Sequence, residues 1–306
     1  MTITVAAVDC GTNSIRLLVV RRSDDGAVAE LAREVRLAQL GQGVDATGEF
    51  HPDALARTFM VLDEFAGIVA QHRVDRVRFV ATSAVRDVRN RQAFFDGVTS
   101  RLGVGVDVIS GQEEAALSTA GVLSGVGAAA PVLIVDIGGG STELVVVEAG
   151  RRVSTSVSLD IGAVRITERF WRSDPPMAEE VASARELIGR TLDGTGIDFT
   201  RIETAIGVAG TITSVAAHVL GLQSYSRQAV HRTRLGRDDI ASATRHWIST
   251  PVAEIAVEPC MHPLRAKVIG GGCLILDEVS ARVPSGSVLV SETDILDGIV
   301  LGLLAG

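Results

Sequence analysis

Lysine is almost missing from this chain. Of 29 basic residues only Lys267 is a lysine, and the rest are arginine. Chemistry that needs a phosphate-gripping or Schiff-base lysine is therefore confined to one position. Cysteine is scarce too: Cys10, Cys260 and Cys273 are odd in number and lack paired spacing. That excludes a disulfide framework or a cysteine-zinc centre and predicts a reducing, cytoplasmic setting. The six histidines form no HExxH pair. No apolar run approaches the roughly 20 residues of a membrane helix; Ala128–Val135 and Ile299–Ala305 are the longest, so no membrane partner is expected. The amino terminus lacks a basic n-region, and no secretory leader is expected. GxxxxGK[ST] is absent, and no GxGxxG follows the first strand pattern, which sets aside P-loop and Rossmann sites. The net charge of -8 argues against a whole-surface polyanion binder and against a nucleic-acid partner.

What remains is substantial. The 306 residues are 46% apolar, enough for two cores and too many for disorder. Two segments resemble each other: Ile3–Val20, containing Asp9-Cys-Gly11-Thr-Asn-Ser14, and Val132–Val147, containing Asp136-Ile-Gly138-Gly-Gly-Ser141-Thr-Glu143. Laid over each other, Asp9 meets Asp136, Gly11 meets Gly138 and Ser14 meets Ser141. Each reads as a hairpin with a carboxylate ending its first strand. The duplication predicts two domains of like architecture, 1–125 and 126–306, divided in the Gly/Ala-rich stretch Gly121–Pro131. The last helix, about 292–304, is expected to pack back onto the first domain. Helices are predicted over Pro52–His72, Asn90–Leu102, Pro176–Leu192 and Asp238–Ile248, and strands over Arg78–Ala81, Val104–Ile109, Glu203–Val208 and Ala266–Ile269. The alternation is that of an α/β fold.

Four strand-to-loop junctions carry glycine and mostly hydroxyl residues: Gly11–Ser14, Gly138–Thr142, Gly207–Thr211 and Gly270–Gly272. Glycine lets successive N–H groups form an anion nest, so together they point to phosphate. Asp136 and Glu143 flank one such turn and could face a single magnesium ion, which usually takes one or two carboxylates; Asp136 could instead merely cap the turn. In Ser110-Gly-Gln-Glu113-Glu114, Ser110 and Glu113 have capping-box spacing, which gives Glu113 a structural task and leaves Glu114, rotated about 100°, to point elsewhere.

At these residues the sequence resembles the exopolyphosphatase / guanosine pentaphosphate phosphohydrolase (Ppx/GppA) family, of the actin, sugar-kinase and heat-shock-chaperone superfamily. The motifs are Asp9–Ser14, Thr82–Asn90, Ser110–Ala115, Asp136–Glu143, Gly162–Arg169, Gly210-Thr211 and Ser291–Gly298, in the family's order. The resemblance implies two ribonuclease-H-like (actin-like) domains with an interdomain cleft. It implies magnesium-dependent hydrolysis of a terminal phosphoanhydride of inorganic polyphosphate, or alternatively of guanosine pentaphosphate. It makes Glu114 the base that activates water, and Asp136 and Glu143 the metal ligands, with Asp9 nearby. Gly138, Gly139, Gly140, Ser141 and Thr142, with Asn13, Ser14, Gly210, Thr211 and Arg86, would hold phosphate; Arg86 could alternatively pair with Asp87. Arg165 is a weaker phosphate candidate. A sugar- or acetate-type kinase and a non-catalytic nucleotide sensor are more remote alternatives. Longer family members carry a further helical domain for which this sequence has no room, so short polyphosphate is the expected substrate. The loop Tyr225–Arg237, with Arg227, His231, Arg232, Arg234 and Arg237, is either part of a phosphate channel or an ordinary solvated loop. A homodimer is compatible with the sequence but not required by it.

Overall fold

Each of the two duplicated segments is a β-hairpin, and each nucleates one sheet. The structure is a computed structural model; it describes all residues except Asn13, Gly43, Ser83, Ala84, Arg86 and Asp87, and Asp45 and Ala46 by backbone only. The chain divides into two units, residues 1–124 with 294–306, and residues 125–293.

In the first unit, β1 (Ile3–Cys10), β2 (Ser14–Arg22) and β3 (Val28–Leu37) form an antiparallel meander. Helix α1 (Pro52–Gln71) leads to β4 (Arg76–Ala81), α2 (Arg91–Leu102) leads to β5 (Val106–Val108), and α3 (Gly111–Gly125) follows. β4 and β5 add in parallel, giving the order β3-β2-β1-β4-β5. Side chains alternate across a strand, so the sheet has two distinct faces. Ala6, Val8, Cys10, Ile15, Leu17 and Val19 pack with Leu62 and Phe65 of α1 and Phe94 and Val98 of α2. Val5, Ala7, Leu18 and Val20 pack instead with Ile295, Leu296, Ile299 and Val300 of the C-terminal helix (Ile295–Ala305).

The second unit repeats this plan. β6 (Val132–Ile137), β7 (Thr142–Glu148) and β8 (Arg152–Leu159) form the meander. Helices α4 (Ala163–Phe170) and α5 (Ala178–Asp193) lead to β9 (Thr204–Val208), and α6 (Ala209–Val219) follows. Then come β10 (Arg234–Leu235), α7 (Arg237–Ser249), α8 (Ile269–Arg282) and β11 (Val288–Val290). The order β10-β11-β9-β6-β7-β8 contains the same five-strand pattern, with β9 parallel to β6 and β11 parallel to β9. One face of the meander carries Leu133, Val135, Ile137, Leu144 and Val146, buried with helical residues such as Ile166, Ile188 and Leu274.

One sequence expectation fails. Ala266–Ile269 is not a strand: a short helix (Pro263–Ala266) runs into α8, and Gly270–Gly272 lie inside that helix. The glycines serve close packing there. A Cβ on Gly271 would meet the Ala163 carbonyl oxygen at 2.8 Å, and one on Gly272 would meet Thr211 Oγ1 at 2.5 Å. Among the described residues no helix is long and apolar enough to cross a membrane.

Candidate active-site elements

The two hairpins share one turn. Gly11 N–H donates to the Ser14 carbonyl at 3.0 Å, and Gly138 N–H donates to the Ser141 carbonyl at 3.0 Å. They differ in charge. Asp9 and Arg16 are cross-strand partners in the first, whereas Asp136 and Glu143 are cross-strand partners in the second. Partners directly opposite in a ladder lie on the same sheet face with Cβ atoms about 4.5–5.5 Å apart, and like charges there are destabilising unless something offsets them.

In the first hairpin an arginine stands opposite the carboxylate. Arg16 donates through Nε (2.9 Å) and Nη2 (2.5 Å) to Asp9 Oδ2, and its Nη1 donates to Asp294 Oδ2 at 2.7 Å. Asp9 is almost fully buried. Desolvation pushes its pKa up, Arg16 opposes this, and the Asp294 charge adds to the rise. Its Oδ1 is buried and has no hydrogen-bond partner among the described residues. The ligand role expected for Asp9 is therefore limited to that one oxygen, because Arg16 occupies the other.

The second hairpin fits a divalent cation. Asp136 and Glu143 are half-buried at the ends of their strands, on the face opposite Leu133, Val135 and Leu144. Glu143 Oε1 accepts hydroxyl hydrogen bonds from Ser141 (2.6 Å) and Ser158 (2.8 Å), which fix the carboxylate. Oε2 accepts none among the described residues. Two carboxylates with hydroxyl oxygens beside them are the donor type that magnesium-type ions take.

The glycine turn between them has an orientation that its contacts enforce. The carbonyl of Gly138 accepts from Ala163 N–H (2.9 Å), and that of Gly139 from Val164 N–H (2.9 Å) and Arg165 N–H (3.2 Å). The carbonyl of Gly140 accepts from Arg165 Nε at 2.9 Å. In a planar trans peptide the C=O and the following N–H point in opposite directions. With three successive carbonyls tied to the start of α4, the N–H groups of Gly139, Gly140 and Ser141 face away from it. None of these three amides meets a protein acceptor among the described residues. Such a run is an anion nest. Gly162 makes the close approach possible: a Cβ there would meet the Gly139 carbonyl oxygen at 2.4 Å.

Thr142 corrects an expectation. It is fully buried, and its hydroxyl donates to the Ile161 carbonyl at 2.6 Å, so this group ties β7 to the loop after β8 rather than facing phosphate. Arg165 stands half-exposed over the turn with Asp160 at 3.8 Å.

Gly210 and Thr211 begin α6, where a Cβ on Gly210 would meet the Arg265 guanidinium at 2.5 Å. Arg265 donates to Ser214 Oγ at 2.8 Å. No carboxylate lies within ion-pair distance of it among the described residues, and burial pushes its pKa down. Amides and guanidinium together make this a positive end of α6. Thr211 is buried against Gly272. The sequence carries no signal for Arg265, which comes from a segment read as the lead-in to a strand. Arg16 was visible in principle, since the hairpin overlay sets it against Glu143.

Glu114 lies half-buried in the first turn of α3, its N–H bonded to the Ser110 carbonyl at 2.9 Å. Ser110 Oγ accepts from Glu113 N–H at 3.2 Å, which is half of the expected capping box. The Glu113 carboxylate completes no box; it pairs with Arg78 at 2.8 Å. Ser14 opens β2, half-buried. Asn13 and Arg86 lie outside the described residues. The basic loop is internally tied. Arg227 pairs with Glu292 (2.8 Å), Arg232 donates twice to the Gly125 carbonyl, Arg234 meets Ser287 Oγ, and Arg237 lies 3.9 Å from Asp277. His231 bridges the Gly125 carbonyl and the Glu292 N–H. These arginines secure the loop, so a phosphate channel along it is not supported.

Comparison with known proteins agrees across sequence and structure. The Ppx/GppA phosphatase family profile matches residues 19–305. Exopolyphosphatase 2 of Mycobacterium tuberculosis is 43% identical over 317 residues, covering 98% of each chain. The guanosine-5'-triphosphate,3'-diphosphate pyrophosphatase of Photobacterium profundum is 32% identical over 252 residues, covering 78% of this chain and 50% of that one. The crystal structure of the Aquifex aeolicus Ppx/GppA member superposes with a TM-score of 0.89 at 30% identity, covering 100% of this chain and 98% of that one.

Proposed function

Because the chain belongs to the Ppx/GppA phosphatase family, we propose that it is an exopolyphosphatase, hydrolysing the terminal phosphoanhydride of short inorganic polyphosphate and releasing orthophosphate. The observation that carries this reading is the second hairpin, where an outward-facing run of amides is flanked by paired carboxylates. Asp136 and Glu143 hold a divalent cation, magnesium by donor type, which supplies charge neutralisation at the phosphoryl oxygens when bound. The N–H groups of Gly139, Gly140 and Ser141 bind the oxygens of the transferring phosphoryl group, where charge accumulates. Glu114 accepts a proton from the attacking water as it approaches the terminal phosphorus in line with the leaving oxygen. The backbone amides of Gly210 and Thr211 and the Arg265 guanidinium bind phosphate further along the substrate. Short chains are favoured because the net charge is -8 and the loop arginines are engaged within the protein. Unpaired Cys10, Cys260 and Cys273 suit a reducing cytoplasm.

Guanosine pentaphosphate is the second reading, supported by the more distant Photobacterium relative. Phosphate release from polyphosphates of defined length and from guanosine pentaphosphate, with and without magnesium, separates the two. Fastest magnesium-dependent release from short polyphosphate is expected; faster release from the nucleotide would reverse the assignment. Glu114→Gln should lower kcat by about 10²–10⁴-fold with KM little changed, and wild-type turnover would remove Glu114 from the base role.

A further inference from the structure

A second polar centre lies in the 125–293 unit, near the opposite end of α6 from Gly210 and Thr211. His218 sits in the last turn of α6, His246 in the last turn of α7, and Glu258 in the connection before α8. Three separate segments thus bring two imidazoles and a carboxylate together. Their donor atoms all lie within 4.8 Å of one another, and this is the one such group among the described residues.

We propose that His218, His246 and Glu258 form a site for a divalent transition-metal ion, zinc above all. A tetrahedral zinc about 2.0–2.1 Å from each nitrogen or oxygen donor sets neighbouring donors about 3.3 Å apart. Here His246 Nε2 is hydrogen-bonded to Glu258 Oε1 at 2.7 Å and His218 Nδ1 lies 3.7 Å from Glu258 Oε2, so a bound ion takes the place of the proton between His246 and the carboxylate. The His218 and His246 rings lie nearly parallel with centroids 5.1 Å apart, so one imidazole turns about its side-chain torsion to bring both nitrogens onto a single ion. Trp247 Nε1 donates to Glu258 Oε2 at 3.0 Å, an outer hydrogen bond of the kind that orients ligating carboxylates. His218 makes no side-chain hydrogen bond among the described residues, and its ring lies 4.8 Å from that of Trp247. The three side chains line a cleft of about 240 Å³ beside Gly221 and Gln223, which leaves a fourth position open to water or an exchangeable ligand. Two imidazoles and one carboxylate with an open position is a donor set for zinc, unlike the all-oxygen pair Asp136/Glu143.

The test is zinc binding itself. Chelator-treated protein is titrated with zinc in competition with a chromophoric chelator, using wild type, His218→Ala, His246→Ala and Glu258→Gln, with Glu143→Gln as the control for the hairpin carboxylates. One equivalent of zinc in wild type and in Glu143→Gln, weakened at least 10-fold in each of the other three, is expected. Binding of less than half an equivalent, or binding undiminished in His218→Ala and His246→Ala, overturns the proposal, as does loss confined to Glu143→Gln. Should those variants fail to fold, cobalt-loaded wild type decides. Intense four-coordinate d–d absorption supports the site, and only weak six-coordinate bands refute it. None of these readouts depends on phosphatase activity, so they are independent of the reaction proposed above.

Discussion

Thr142 and Asp9 show how the same residue types take different roles once their neighbours are known. Thr142 sits inside a glycine- and hydroxyl-rich run, yet its hydroxyl is fully buried on the Ile161 carbonyl. Thr142→Val removes that donor and leaves a buried carbonyl unpaired, at a cost of about 1–3 kcal/mol. A lower urea midpoint with kcat unchanged is expected; a large fall in kcat with unchanged stability would return the hydroxyl to the phosphate site. Asp9 and Asp136 are equivalent in sequence, but Arg16 neutralises one while Glu143 doubles the charge of the other. The proposed divalent cation is placed at the hairpin whose cross-strand pair is two carboxylates. His231 gives a pH signature at the same scale. Its Nε2 meets the Gly125 carbonyl and its Nδ1 accepts from Glu292 N–H, so the neutral ring satisfies both and protonation would break the second bond. Burial, reinforced by Arg232, pushes its pKa below 6.5 against the opposing Gly125 and Glu292 contacts. A depressed folded-state pKa contributes stability that is present above 6.5 and lost as pH falls. The urea midpoint of wild type should therefore fall more between pH 7 and pH 5.5 than that of His231→Gln; equal slopes would count against this role.

Among the elements, the turn between β6 and β7 acts with the start of α4 as one unit. Two carbonyls, of Gly138 and Gly139, cap the helix's unsatisfied N–H groups, a third accepts from the Arg165 side chain, and together they turn three amides the other way. Gly162→Ala puts a methyl group 2.4 Å from the Gly139 carbonyl oxygen, which must push α4 off the turn. About 1–3 kcal/mol of destabilisation is expected from the overpacking. KM should rise and kcat fall, because the amides lose their orientation. Retention of both constants would show that the nest is not used. Much of this was readable beforehand: the hairpins, their carboxylates and the helices at 52–71, 91–102 and 237–249 follow from periodicity and glycine turns. Gly270–Gly272 was not, because a glycine needed for helix–helix approach looks in sequence like one needed for a turn. Distance decided it, through Ala163, Thr167 and Thr211 packed against α8.

At the scale of the whole molecule, the first unit is built from both ends of the chain. The C-terminal helix covers one face of the β1–β2 hairpin, and it meets α3 so closely that a Cβ on Gly298 would lie 1.9 Å from the Leu117 carbonyl oxygen. Gly121 is matched to it, with the Asp294 carbonyl oxygen 1.8 Å from its own Cβ position. Gly298→Ala should therefore destabilise the protein more than Gly302→Ala, whose position is open, and urea unfolding of the two variants measures the difference. Equal midpoints would mean that the crossing can open without cost. What the sequence determined by itself was local and periodic: the α/β class, the duplicated hairpin, and the carboxylates that end its first strands, since strand alternation and glycine conformational freedom act over a few residues. Tertiary structure alone decided which carboxylate is already neutralised, which hydroxyl is buried, and which arginine covers Gly210. It also gathered His218, His246 and Glu258 from separate segments. Burial and charge compensation depend on partners far away in the chain, and only packing brings those partners within reach.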